Sequence, residues 1–270
     1  MTDAHDEQSA QISTTEPHSA RIWNYWLGGK DHYEVDRVAG EQFREAFPGI
    51  VDNARAFRHF LARAIRHLAG EAGIDQFLDV GTGLPTVDNT HQVAQRVNPA
   101  ARIVYVDNDP LVLLHAHALL TSHPDGVTDY LDADLRAPAT ILQRARRTLD
   151  FERPVALILS GILGHVADYE EARAIVADLL NALPSGSYLL VCDGTATNAE
   201  LLEAQQAHNE DNEGGGVVYH LRTPEQMAGY FEGLELVEPG VVPCPDWRRE
   251  VAPLTDAAPV DAYGGVGRKP

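Results

Sequence analysis

Phe77-Leu78-Asp79-Val80-Gly81-Thr82-Gly83-Leu84-Pro85 is the stretch whose reading decides the fold. It opens as a short apolar strand and runs into a turn with two glycines. Gly81 permits a tight turn and Gly83 lets backbone approach a ligand, because neither carries a Cβ. Alone, a Gly-x-Gly after a strand is weak evidence, since a purely structural turn has the same form. Around it the chain keeps one rhythm. Apolar runs at 77–80, 103–106, 127–131, 155–159 and 188–191 alternate with helical patterns at 91–97, 111–120, 139–149 and 168–183. Continuous apolar strands separated by helices predict a mostly parallel sheet covered on both faces, a doubly wound α/β fold.

Outside this core the pattern differs. Residues 1–18 are polar and acidic and read as a loose tail; residues 19–72 read as helices. The first is capped at Ser19, carries Ile22, Trp23 and Trp26, and breaks at Gly28-Gly29. The second carries Val35, Val38, Phe43 and Phe47 and stops at Pro48-Gly49. The third starts after Asn53, carries Phe57, Leu61, Ile65 and Leu68 on one face, and ends at Gly70. After Cys192 come a polar helix at 198–212, a Gly214-Gly215-Gly216 loop, a helix at 224–231 and two final strands at 234–237 and 262–266. With no repeat and no long linker, residues 19–270 make one domain: a helical addition (19–72) on a sheet core (73–270).

The chain has 270 residues, 44% of them hydrophobic, which excludes bulk disorder. No apolar run approaches the roughly 20 residues of a membrane span, and the N-terminus lacks the basic start and apolar stretch of a signal peptide. Cys192 and Cys244 fit no metal or disulfide spacing. The expectation is a cytoplasmic protein without a membrane partner. Forty acidic against 21 basic residues leave a charge of −19. That field repels polyphosphate and argues against nucleic acid as a partner.

Two further strand ends sharpen the glycine turn. Ile103-Val104-Tyr105-Val106-Asp107 ends in an acid 24 positions after Gly83, where doubly wound folds bond ribose hydroxyls. Leu131-Asp132-Ala133-Asp134-Leu135 ends a third strand in acids; Asp134 suits an exocyclic amine and Leu135 a flat base. Thr82, Asn108, Ser160 and Gly161 flank the same strand ends and are assigned to the cofactor with Asp79, Gly81 and Gly83. A dinucleotide turn wants a third glycine where Thr86 stands, to bring a helix start against a pyrophosphate. Asp79 would oppose that pyrophosphate but suits an amino group. These features favour S-adenosylmethionine, which has no phosphates, over a nicotinamide cofactor.

In these residues the chain resembles the actinobacterial family of S-adenosylmethionine-dependent methyltransferases of largely uncharacterised substrate. The resemblance rests on residues 20–31 (ARIWNYWLGGKD), 77–86, 104–110, 132–136 and 263–269, and covers nearly the whole chain past residue 19. It implies the class I methyltransferase sheet, seven strands with the seventh antiparallel. It implies Asp79, Gly81 and Gly83 as the cofactor loop, Asp107 as the ribose acid and Asp134 as the adenine-side acid. Related chains carry a Leu-His pair after the fourth strand where this one reads Ser160-Gly161-Ile162-Leu163-Gly164-His165, so no role for His165 transfers.

The acceptor half is less legible. Methyl transfer needs alignment, exclusion of water and an optional base. Strand-end position makes His165 and Asp193 the candidate catalytic groups. Tyr25, Lys30 and Asp31 flank the Gly-Gly pair as candidates for a hinged lid. His115 and His117, two apart on a helix, face different ways, and no metal is expected. The Asn- or Asp-Pro-Pro-aromatic stretch of base-amino methyltransferases is missing, which with the charge favours a small-molecule acceptor. A non-catalytic S-adenosylmethionine-binding sensor is the alternative, and a nicotinamide-linked oxidoreductase the third reading.

Overall fold

The computed structural model describes residues 13–86, 88–119, 122–212, 217–249 and 259–270. Five strands, β1 (Gln76–Val80), β2 (Arg102–Asp107), β3 (Val127–Asp132), β4 (Ala156–Ser160) and β5 (Tyr188–Gly194), run parallel in the order β3-β2-β1-β4-β5. β8 (Ala262–Arg268) lies antiparallel beside β5, and it pairs in turn with the two-residue strands β6 (Glu235–Leu236) and β7 (Val242–Pro243). Among the described residues the sheet has eight strands rather than the expected seven, because Val242–Pro243 adds a short rung to β8.

Alternation along the strands explains why both faces are covered. Leu78, Val80, Val104, Val106, Leu157, Leu159, Leu189 and Val191 point into one core. Phe77, Ile103, Tyr105, Ala156, Ile158, Leu190 and Cys192 point into the other. The helices are α1 (Ser19–Trp26), α2 (Glu34–Ala46), α3 (Ile50–Gly70), α4 (Thr90–Val97), α5 (Pro110–Leu119), α6 (Pro138–Ala145), α7 (Tyr169–Asn181), α8 (Ala199–Asp211) and α9 (Pro224–Gly229). α3 starts at Ile50, directly after the Pro48-Gly49 break, and not after Asn53. Asn53 sits one turn inside it, its side-chain oxygen accepting the Asp261 N–H at 3.0 Å. α1 is capped by His18 in extended conformation rather than by Ser19.

The order of the strands reverses between β1 and β4, so their chain connections leave in opposite directions and open a crevice at the carboxyl ends. α1 and α2 close over that crevice. The expected tail lies partly outside the described residues, at 1–12. Residues 13–18 form a strap, the Ser13 and Glu16 carbonyls accepting from the Arg21 guanidinium at 2.6 and 3.0 Å. The Gly214-Gly215-Gly216 loop lies outside the described residues. No helix among the described residues is long and apolar enough to cross a membrane.

Candidate active site

A cavity of about 570 Å³ fills the crevice. Its floor is the carboxyl ends of β1, β2 and β4, its roof the strap and α1, and its far end α8 with residues 217–221. All of Asp79, Gly81, Thr82, Gly83, Asp107, Asn108, Asp134, Leu135, Ser160, Gly161 and His165 line it; Asp193, Tyr25, Lys30 and Asp31 do not.

The glycine turn and Asp107 form one unit. The Gly81 and Thr82 N–H groups donate to the Val106 carbonyl at 2.8 and 3.3 Å, which folds the turn across the end of β2. Gly83 N–H then donates to Asp107 Oδ2 at 2.8 Å, while Asp107 Oδ1 accepts from Asp109 N–H at 3.0 Å. Gly81 and Gly83 have φ of 77° and 65°, which a side chain would strain. A Cβ on Gly81 would stand 2.4 Å from Ile162, whereas none of the surrounding atoms lies within 4 Å of one built on Gly83. Burial raises the Asp107 pKa, and the two N–H donors oppose it.

The helix after the turn starts later than a dinucleotide site requires. α4 begins only at Thr90, and a reciprocal capping box between Asn89 and Gln92 already engages its first turn. A pyrophosphate site runs its glycines directly into an open helix start; here the helix start comes later and is capped by Asn89 and Gln92. Asp79 is tied into the same corner, Oδ2 accepting from Thr90 Oγ1 at 2.6 Å. Burial pushes its pKa to about 6 against the pull of Thr90 and of Arg58 beside it. Arg58, a cavity-lining guanidinium on α3, donates to the Asp88 carbonyl at 3.0 Å. An acid and a guanidinium side by side suit a ligand that is itself a zwitterion.

Asp134 is half exposed, Oδ1 accepting from Arg136 N–H at 2.8 Å, and Leu135 is buried behind it. Ser160 Oγ lies 3.1 Å from Cys192 Sγ. Residues 13–18, read as tail, bring a group that the sequence had not suggested: His18 Nδ1 sits 2.9 Å from Asp109 Oδ2. Burial works to raise the Asp109 pKa, yet the hydrogen bond and charge of His18 carry it below the usual value. The strap is locked by a buried pair, Arg21 Nε to Asp36 Oδ1 at 3.3 Å. Asp36 also accepts the His18 and Tyr33 N–H groups at 2.9 and 2.8 Å.

The lid residues are differently placed from the expectation. Tyr25 turns to α2, its hydroxyl donating to Glu41 at 2.9 Å, and Lys30 is exposed. Gly28-Gly29 is no open hinge but a turn wrapped on buried Asn24. The Asn24 side chain accepts from Asp31 N–H at 3.0 Å and stands 2.4 Å from where a Cβ on Gly29 would be. Trp23, Asn24, Trp26 and Leu27 form the roof instead.

His165 ends a 3-10 turn, Leu163–His165, and its Nδ1 lies 2.9 Å from the Val218 carbonyl. A carbonyl only accepts, so Nδ1 carries the hydrogen and Nε2 keeps its lone pair. Burial pushes the His165 pKa down to about 4, so the ring is neutral near pH 7. Asp193, expected at the site from its strand-end position, does not line the cavity. It is fully buried on the same face of β5 as Val191, with Oδ1 accepting from Gly194 N–H at 3.0 Å, and Gly194 is the residue that reaches the cavity. Burial raises its pKa to about 7. A raised folded-state value means the folded chain holds this proton more tightly than the unfolded chain. Stability then falls as pH rises from the ordinary 3.8 through about 7. Denaturant titrations of Asp193→Asn are expected to show that part of the slope flattened; an unchanged slope between those pH values overturns the assignment.

The sequence matches the S-adenosyl methyltransferase family over residues 5–270. Its fold matches the crystal structure of a DUF574 family protein from Streptomyces avermitilis with TM-score 0.90 and 44% identity, covering 96% of this chain and 100% of that one. A putative methyltransferase from Thermobifida fusca gives TM-score 0.84 and 41% identity over 94% and 95% of the two chains. A SAM-dependent methyltransferase from Anabaena variabilis shares the fold alone, with TM-score 0.51 and 14% identity over 96% and 98%. No curated protein matches by sequence.

Proposed function

The chain belongs to the S-adenosyl methyltransferase family, and from that membership we propose that it methylates a small acceptor held at the far end of the cavity. One observation carries this reading: the turn–Asp107 unit and an apolar compartment open into a single cavity. The residues fit S-adenosylmethionine. Asp107 would hold the ribose hydroxyls, Gly81 to Gly83 would let backbone approach, and Asp134 and Leu135 would take the adenine edge and face. Arg58 and Asp79 would take the carboxylate and ammonium of the amino-acid end, a pairing that a phosphate-bearing cofactor has no use for. When bound, S-adenosylmethionine supplies an electrophilic methyl on a sulfonium sulfur, which leaves as a neutral thioether once an acceptor's lone pair takes the methyl.

The chain's own contribution is placement and dryness. The strap and α1 cover the strand ends and keep water from them. His165 Nε2, an unprotonated nitrogen on the cavity wall, would accept the hydrogen bond and then the proton of the acceptor.

Calorimetry against S-adenosylmethionine, S-adenosylhomocysteine and NAD tests the cofactor half; binding of NAD with no heat from the first two sinks it. Incubation with labelled S-adenosylmethionine and an actinobacterial metabolite extract tests the transfer half; label should enter a low-mass product. His165→Gln is expected to lower that incorporation by about 100-fold with cofactor affinity unchanged. Equal incorporation by wild type and variant would remove His165 from the mechanism.

A further inference from the structure

The compartment beyond the strand ends is walled unlike the cofactor side. Rings run in contact along it: Phe57 to Trp23 at 5.1 Å, Trp23 to Trp26 at 5.7 Å, Trp26 to Phe43 at 5.4 Å and Phe43 to His208 at 5.6 Å, tilted or edge to face. All five line the cavity. The row begins beside Gly161, whose Cβ position is 3.6 Å from the Phe57 ring, and ends on α8. It therefore leads from the strand ends to the far wall. Trp26 is anchored, its indole N–H donating to the Gly40 carbonyl at 3.0 Å.

Charge divides the cavity in the same way. Its carboxylates and guanidiniums belong to the strap, the roof and the corner of Asp79, Asp107 and Asp134. The far compartment meets α8 with Leu201, Gln205 and His208 and residues 217–221 with Val218, Tyr219 and Leu221, none of them ionised at neutral pH. Burial lowers the pKa of His208 as it does that of His165. An ionic guest would lose its hydration there without gaining a counter-charge from these residues, which is costly. A flat apolar guest gains ring-to-ring contact along a wall already arranged edge to face. His165 also lines the cavity, held against Val218 at the border of this compartment, and the lone pair left on its Nε2 calls for a hydrogen-bond donor on that guest.

We propose that the acceptor is an uncharged, planar aromatic molecule bearing a hydroxyl, seated against the Trp23–Trp26–Phe43 wall with that hydroxyl toward His165 Nε2. The inference rests on the methyl-transfer reading above, and the test separates the two. The full-length protein is first titrated with S-adenosylhomocysteine. Saturated with it, the protein is titrated calorimetrically with 2-naphthol and with naphthalene-2-sulfonate, the same ring carrying a fixed negative charge. 2-Naphthol is expected to bind saturably at one site, and the sulfonate about 100-fold more weakly, the expected effect of burying an unpaired charge. Trp26→Ala should weaken 2-naphthol about tenfold, with a smaller change for S-adenosylhomocysteine.

Equal or tighter binding of the sulfonate overturns the proposal. So does absence of 2-naphthol binding in protein that binds S-adenosylhomocysteine, or 2-naphthol affinity indifferent to Trp26→Ala. Failure to bind S-adenosylhomocysteine removes the cofactor reading and this inference with it. If Trp26→Ala fails to fold, the two probes compared on the wild type decide alone.

Discussion

Asp107→Asn is expected to weaken S-adenosylmethionine binding roughly 10- to 150-fold, the equivalent of about 1.5–3 kcal/mol for charge-assisted hydrogen bonds lost. The carboxylate has two jobs, and asparagine fails at both. It accepts the Gly83 and Asp109 N–H groups on different oxygens, so it holds the glycine turn to the end of β2. Asparagine has one oxygen, so its amide nitrogen would face one of those N–H donors. The remaining lone pairs are the ones proposed for the ribose hydroxyls, and a neutral amide offers them weaker bonds. Calorimetric affinity within twofold of wild type would mean that the nucleoside sits elsewhere. The fold should survive, because Asp107 closes a turn at the sheet's carboxyl edge rather than packing either core.

What could be read ahead of the structure was what is local in sequence. Asp79, Asp107 and Asp134 each lie at or just beyond the carboxyl end of an apolar run, and a parallel sheet carries such positions to one edge whatever the loops do. The loops held the surprises. The long connection from Gly83 to Thr90 separates the turn from its helix, and no spacing rule foretold that Asn89 and Gln92 would close that helix start. The burial of Asp193 is legible in its strand. Counting in twos from Leu189 through Val191 puts it on the inward face of β5, the face that Leu157 and Leu159 share on β4. Arg58 gave a fainter signal, a charge set between the apolar positions Phe57 and Leu61 of α3. His18 gave none, because a histidine in a polar, acidic lead-in is indistinguishable from solvent-facing chain until Asp36 and Arg21 are seen to hold it. The Gly28-Gly29 pair misled for a related reason. Glycine marks both a hinge and a backbone too close to a neighbour for a Cβ, and only the position of Asn24 distinguishes them.

Asp36→Ala is expected to open the roof without melting the domain. The Asp36 carboxylate is fully buried and serves three groups, the His18 and Tyr33 N–H and the Arg21 guanidinium. Removing it leaves Arg21 charged, with a side chain 4% exposed and no directly paired carboxylate among the described residues, held by the Ser13 and Glu16 carbonyls and the Tyr33 ring. Breaking a buried pair from one side costs about 3–5 kcal/mol. That cost falls on the strap and α1, which touch the rest of the chain mainly through small apolar clusters and the cavity itself and reach a sheet core through Trp23 on Phe57. Elements of that kind open locally, below the global transition. Amide exchange over residues 13–33 should therefore accelerate by roughly two to three orders of magnitude, S-adenosylmethionine affinity should fall about tenfold or more as His18 leaves Asp109, and the main melting transition should move little. A melting midpoint lowered by many degrees, with exchange raised evenly through β1 and β4, would make roof and core one cooperative unit and end the idea of a lid. Arg21→Met combined with Asp36→Leu sharpens the distinction. Replacing both charges with apolar groups of similar size removes the unpaired cation, so most of the exchange protection should return. Cofactor affinity should stay below wild type, because the His18 and Tyr33 N–H groups still lack the carboxylate that fixes the strap over Asp107.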